Sequence, residues 1–211
     1  MSFGADKGDG APMMHSRLRD YLSVLAYRVL GRRLFETFGR GVRVVLPVRI
    51  VGSRYVRLED SVTLQYGAYV AVLPAVGATA SLRFGSGTMV GSFAHIVCTR
   101  AVNIGERVLI ADRVFISDTE HDYRDPTRPV MDQPLRYIAD VSIGPGSWIG
   151  ENVCILGCKI GRNCVIGANS VVTKDVPDFC VAAGAPAALI RRYCEQTGRW
   201  RRTSPDGVFV E

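Results

Sequence analysis

The chain has 211 residues, 47% of them hydrophobic, with six cysteines and a formal net charge of +6. That length suits one compact domain with its own core, and its longest apolar run falls far short of the roughly 18 to 20 residues that cross a bilayer, so no transmembrane helix is expected. No Cys-x-x-Cys pair suggests zinc or redox chemistry, and no helix-turn-helix, zinc finger or RNP-like aromatic strand accompanies the positive charge, which argues against a nucleic-acid reader.

Residues 1–15 are glycine-rich and polar and read as a disordered start. They hold no hydrophobic run leading to a small-residue cleavage site, so they do not read as a signal peptide. With cysteines expected to stay reduced, a cytoplasmic protein follows. From residue 16 to 38, Leu18, Tyr21, Leu22, Leu25, Val29, Leu34 and Phe38 recur at three- and four-residue intervals with arginines between them. This spacing predicts an amphipathic helix that Gly31 divides. Its expected role is to cap the open end of the repeats that follow. The other reading rests its basic face on anionic lipid, a peripheral contact at the inner face of the membrane. Residues 1–43 thus form the start and arm.

Beyond them a branched aliphatic residue returns almost every sixth position, clearest in Ile143, Ile149, Ile155, Ile160, Ile166 and Val172. Ile104, Ile110 and Ile116 keep the register, Val90 and Ile96 more loosely, and Leu58, Leu64 and Val70 hold the spacing with weaker small positions. A period of six fits neither the 3.6 of a helix nor the 2.0 of an open strand; it fits a solenoid whose turns bury their cores by stacking. The repeat domain spans 44–186. Cys154, Cys158 and Cys164 fall at its small or corner positions. A polar insertion rich in Asp, Arg and Pro, about 118–140, interrupts the repeat and is expected to be thrown outward, a natural place for chemistry. Residues 187–211 are expected to form a short C-terminal helix, from 187 to 202, and a basic tail.

Several motifs are specific. The run from Val141 through Trp148-Ile149-Gly150, the run from Ile166 through Thr173-Lys174 to Pro177, Ala183-Gly-Ala-Pro186, and upstream Phe115-Ile-Ser-Asp118 with His121-Asp-Tyr123 together resemble the hexapeptide-repeat O-acetyltransferases, in particular their sugar- and polysaccharide-acetylating members. The resemblance implies an all-β fold, a left-handed parallel β-helix assembled as a homotrimer. It also implies acetyl-CoA as co-substrate along the groove between neighbouring prisms, with no metal, and a saccharide acceptor from surface-polysaccharide or lipopolysaccharide biosynthesis. A lipid-linked acceptor would suit the basic arm.

His121 is the one histidine of the insertion. The resemblance makes it the general base, since a neutral imidazole can take the proton of an acceptor hydroxyl attacking the thioester, a role worth about 10² to 10⁴ in rate. Asp118, Glu120, Asp122 and Asp125 all lie close enough in sequence to hold its other nitrogen, and the sequence does not choose among them. Backbone N–H groups near Trp148 to Gly150 are the expected oxyanion donors. For the cofactor, the family pattern falls on Trp148 and Gly150 beside the thioester channel, on Ala168 where the pantetheine arm nears the backbone, and on Thr173, Lys174 and Arg191 near the phosphates. The chain departs from that pattern at Ala188, where a second basic residue is common. Around His95, Ile96 and Val97 it lacks an expected acceptor-binding asparagine, and Thr119-Glu120 stands where some relatives carry another histidine.

Other functions separate on simple features. A carbonic anhydrase-like zinc enzyme needs three histidines with a close pair, whereas the histidines here stand at 15, 95 and 121. An antibiotic (xenobiotic) acetyltransferase is the nearest enzyme alternative, though its inserted loop is usually longer. A non-enzymatic hexapeptide scaffold would need neither His121 nor the Thr173-Lys174 pair.

Overall fold

The six-residue period becomes three short strands per turn of chain. The computed structural model describes residues 25–27, 29–75 and 78–210; the expected disordered start and the first part of the arm, with His15, lie outside the described residues. Val141–Ile143 lies in a first sheet, Trp148–Ile149 in a second and Cys154–Leu156 in a third, and Lys159–Ile160 then returns to the first. Parallel pairing joins each turn to the next, Ile143 to Ile160, Ile149 to Ile166 and Ile155 to Val172. The same rotation starts at Thr37–Phe38 in the first sheet, Arg43–Val44 in the second and Arg49–Val51 in the third. The protein is therefore all-β and mainly parallel, a coil with three flat sides.

The repeated aliphatic residues fill the inside. Leu58, Leu64, Ile96, Ile104, Ile110, Ile116, Ile149, Ile155 and Ile166 are fully buried, each worth about 1.5–3 kcal/mol for leaving water. Small polar residues between them stitch one turn to the next. Ser147 Oγ donates to Gly161 O (2.9 Å) and accepts from Cys164 N (3.0 Å), and Thr88 links Gly105 O and Val108 N in the same way. Stacking leaves no room at the corners: a Cβ on Gly150 would meet Ala168 N at 2.7 Å and Ile166 O at 2.8 Å.

The three outer surfaces differ in chemistry. Along the first sheet the outward row reads Arg57, Arg83, Asn103, Ser142 and Lys159, held by pairs such as Arg83 with Glu59 at 2.6 Å. The second sheet instead exposes Met89, Leu109 and Trp148 in one row. The third carries Tyr69, His95 and Phe115 side by side, with ring centroids 4.7 and 5.2 Å apart.

Both ends correct an expectation. Residues 25–27 and 29–34 are helical, but the helix does not reach 38. Thr37–Phe38 pairs as a strand with Arg57 and Leu58, because the first sheet offers it an open edge, while Tyr27, Phe35 and Phe38 pack on the core beneath the first turn. The expected C-terminal helix over 187–202 is absent. Ala187–Cys194 and Arg199–Arg202 are antiparallel strands that extend the second sheet from Cys180–Gly184. A helix would have left the backbone groups of that edge unpaired, and the residues that turn there, Thr197 and Gly198 (φ 63°), let the chain fold back. No helix among the described residues is long and apolar enough to cross a membrane.

Candidate active site

The insertion leaves the coil where the third sheet would pass to the first. Ser117 turns the chain outward, its Oγ donating to Thr119 O at 2.6 Å. Asp118, fully buried, then anchors the exit: its carboxylate accepts from Thr99 N (2.8 Å), Thr99 Oγ1 (3.1 Å), Arg100 N (2.7 Å) and Ala101 N (2.9 Å). From there Thr119–His121 and Leu135–Tyr137 form an antiparallel hairpin, with His121 opposite Leu135 and Thr119 opposite Tyr137. Side chains alternate along a strand, so His121, Thr119, Leu135 and Tyr137 share one face of the hairpin. Glu120 and Arg136 form an ion pair on the other.

That shared face borders a cavity of about 740 Å³ between the hairpin and the segment that follows the third-sheet strand Tyr69–Val72. Thr119, Leu135 and Tyr137 line it from the hairpin, and Leu73, Thr99 and Arg100 from the coil. Such a volume lies within the range of small-molecule sites. The Arg100 guanidinium lies over the Tyr137 ring, 5.0 Å from its centroid, and the Tyr137 hydroxyl donates to Asp140 at 2.6 Å. His121 is exposed at the end of this face.

None of the carboxylates considered for His121 bonds to it. Asp118 is used by the coil, Glu120 by Arg136, and Asp125 by Thr127. Asp122 is forked to Arg124, whose hydrogen bonds hold its carboxyl well below the usual carboxylate range. Gln133, buried below the loop, ties it together through Asp125 O and Arg128 O. The expected oxyanion donors are also occupied, since Trp148 N donates to Cys164 O (2.8 Å) and Gly150 N to Ile166 O (2.9 Å) in the parallel ladder. Sequence proximity could not reveal this, because the acceptors come from the next turn of the coil.

The remaining residues singled out by resemblance divide between two places. Thr173 and Lys174 are exposed after the third-sheet strand Val171–Val172, at the same kind of corner as the hairpin. Trp148 lies on the outer surface of the second sheet, and Gly150 and the exposed Ala168 stack at its border with the third. Arg191 sits farther along the second sheet, opposite Val181. Within one chain, His121 and Trp148 therefore belong to different sides of the coil. His95, noted only as a departure, proves to be half-buried between Tyr69 and Phe115, and burial lowers its pKa. No group of three His, Cys, Asp or Glu able to hold a metal occurs among the described residues. The cysteines are free, and burial pushes the Cys98 thiol up to about 12.

Residues 140–174 match the family described as bacterial transferase hexapeptide (six repeats). That stretch carries the repeat. The chain is 38% identical over 126 residues to the putative lipopolysaccharide biosynthesis O-acetyl transferase WbbJ of Escherichia coli (strain K12), covering 56% of this chain and 64% of that protein. It is 44% identical over 97 residues to the galactoside O-acetyltransferase of the same organism, covering 46% of each. The chain thus spans less than two thirds of the length of these curated relatives. In fold it is similar to AntD, an N-acyltransferase from Bacillus cereus solved with dTDP and 3-hydroxybutyryl-CoA, with a TM-score of 0.68 at 16% identity over 83% of this chain and 92% of that one.

Proposed function

We propose that this protein is an acetyl-CoA-dependent O-acetyltransferase acting on a sugar hydroxyl, with His121 as general base. One observation carries the reading: the exposed imidazole shares a hairpin face with three residues that line a cavity of ligand size. The acceptor saccharide occupies that cavity, with Tyr137 as a flat wall. Its hydroxyl gives a proton to a neutral His121 nitrogen while the oxygen bonds to the thioester carbonyl carbon. Collapse of the tetrahedral intermediate breaks the carbon–sulfur bond, and the imidazolium returns the proton to the departing thiolate. The similarity to lipopolysaccharide and galactoside O-acetyltransferases supports a surface-polysaccharide role.

The donor lies across the second sheet. Its outward row runs from Leu109 and Trp148 through Val165 and Val181 to Arg191, which suits an amphipathic arm ending in phosphates. Ala168 and Gly150 let that arm approach the backbone, and Thr173 and Lys174 add polar and cationic contacts. Residues 44–186 form the working unit, a left-handed coil.

A homotrimer completes the site. The second sheet exposes an apolar row, the third carries a half-buried aromatic row and the first exposes charge, the division expected when each copy in a three-fold assembly buries two sides and leaves one in water. Placing the second sheet of one copy against the hairpin corner of the next brings Trp148 and His121 of different copies to one groove. The test is titration with acetyl-CoA, followed by an acceptor screen comparing wild type with His121→Ala. Saturable binding with loss of transfer only in the variant is expected. Absence of binding at millimolar acetyl-CoA would refute the reading.

A further inference from the structure

The last two strands set like charges directly against each other. Arg191 stands opposite Arg202 and Arg192 opposite Arg201, an arrangement that costs stability in an antiparallel pair. The two couples lie on opposite faces of the ribbon, and their surroundings differ. Arg201 lies over the Phe209 ring at 4.9 Å, and Arg192 shares a cavity with Asp178 and Glu195. Arg191 and Arg202 are both exposed, and among the described residues neither has an acidic partner. On the same face, one pair of positions along, Tyr193 and Trp200 meet edge to face with centroids 5.7 Å apart, and Trp200 is 42% exposed.

We propose that Arg191 and Arg202 clamp the 3′-phosphate of the coenzyme A donor, with Trp200 offering its exposed ring to the adenine. This rests on the donor reading above and assigns Arg202 and Trp200 to it. The outward row of the second sheet continues from Trp148 through Val165, Val181 and Arg191 to Arg202. At the spacing of neighbouring strands, Arg191 lies roughly 14 Å and Arg202 roughly 19 Å from Trp148. The row is therefore apolar where the pantetheine arm would run and doubly cationic at its far end. The anion farthest from the thioester is the 3′-phosphate. As a monoester it carries close to two charges, which suits two guanidinium forks better than a singly charged diester would. The same dianion relieves the repulsion between the two arginines, which explains how the fold tolerates them face to face.

The experiment measures calorimetric binding of coenzyme A and 3′-dephospho-coenzyme A to the full chain, as wild type, Arg202→Gln, Arg202→Lys and Arg199→Gln. Arg202→Gln should weaken coenzyme A roughly ten- to a hundredfold while changing 3′-dephospho-coenzyme A little. Arg202→Lys should recover part of the loss, and Arg199→Gln, on the opposite face, should behave as wild type. Melting without ligand supplies a second reading: removing one of two facing charges should raise the Tm of Arg202→Gln by about 1 to 3 °C. If wild type binds neither ligand, the donor reading fails and the clamp with it. If wild type binds but Arg202→Gln keeps the wild-type ratio between the two ligands, or melts lower than wild type, the clamp alone is overturned.

Discussion

The coil from Val141 to Val172 and the hairpin inserted before it are held by opposite means. In the coil each turn repeats the same few contacts, an aliphatic residue inward, a small residue at the corner and a parallel ladder to the next turn. In the hairpin almost every contact is polar and unique: Asp118 to the Thr99–Ala101 backbone, Glu120 to Arg136, Asp122 to Arg124, and Gln133 to two carbonyls. A stack of equal turns spreads a local loss over neighbours, whereas a loop fastened by single contacts answers to each of them. Stability therefore resides in the coil, the proposed function puts the chemistry in the hairpin, and substitutions should separate the two.

The sharpest separation comes from His121→Ala, which should lower kcat by about 10² to 10⁴ while leaving acetyl-CoA affinity and Tm near wild type. A matching loss of affinity would mean the hairpin also carries the donor. In the coil, Ile155→Ala should cost about 2–5 kcal/mol in urea denaturation, because the fully buried side chain sits between Ile116 and Val172; its residual activity per folded molecule should stay high. Asp118→Ala joins the two regions. It strands three backbone N–H groups and should cost about 1–3 kcal/mol, with hydrogen-exchange protection lost around 119–137 but kept in Val141–Val172. Loss spread evenly through the coil would show that the hairpin is not a separate unit.

Acid should distinguish the regions more weakly. His95, on the coil, has a pKa lowered by burial, so as pH falls through the ordinary imidazole range the unfolded chain takes up the proton first and the coil loses stability. Asp122, in the hairpin, has its pKa lowered first by its hydrogen bond to Arg124. Its stabilisation is present above the usual carboxylate range and is lost only as pH falls below that range. Between about pH 6.5 and 4, melting should decline modestly in wild type and less in His95→Phe, while exchange protection at Arg124 persists. An equal decline in both proteins would remove His95 as the cause.

Much of the coil could be read in the chain because its information is local. Ile143, Ile149, Ile155, Ile160 and Ile166 are buried as their spacing requires, and the insertion announced itself by its polarity. The contacts of the site were less legible. Nothing near Asp118 in sequence points to Thr99 and Arg100, and nothing near Trp148 reveals that its N–H is already used by Cys164. The C-terminal segment misled for a related reason. The helix expected there gives way to strands because the open edge of the second sheet takes them up.

The amino-acid sequence by itself determined the repeat, its inward residues and the point where the chain leaves the coil, since periodicity is written in consecutive positions. Only the tertiary structure decided that His121 faces Leu135 beside a cavity, that Trp148 lies on another side of the coil, and that Arg191 stands against Arg202. Those are matters of register between segments, set by turn lengths and by which sheet edge is left unpaired, and a single strand carries no record of its partner.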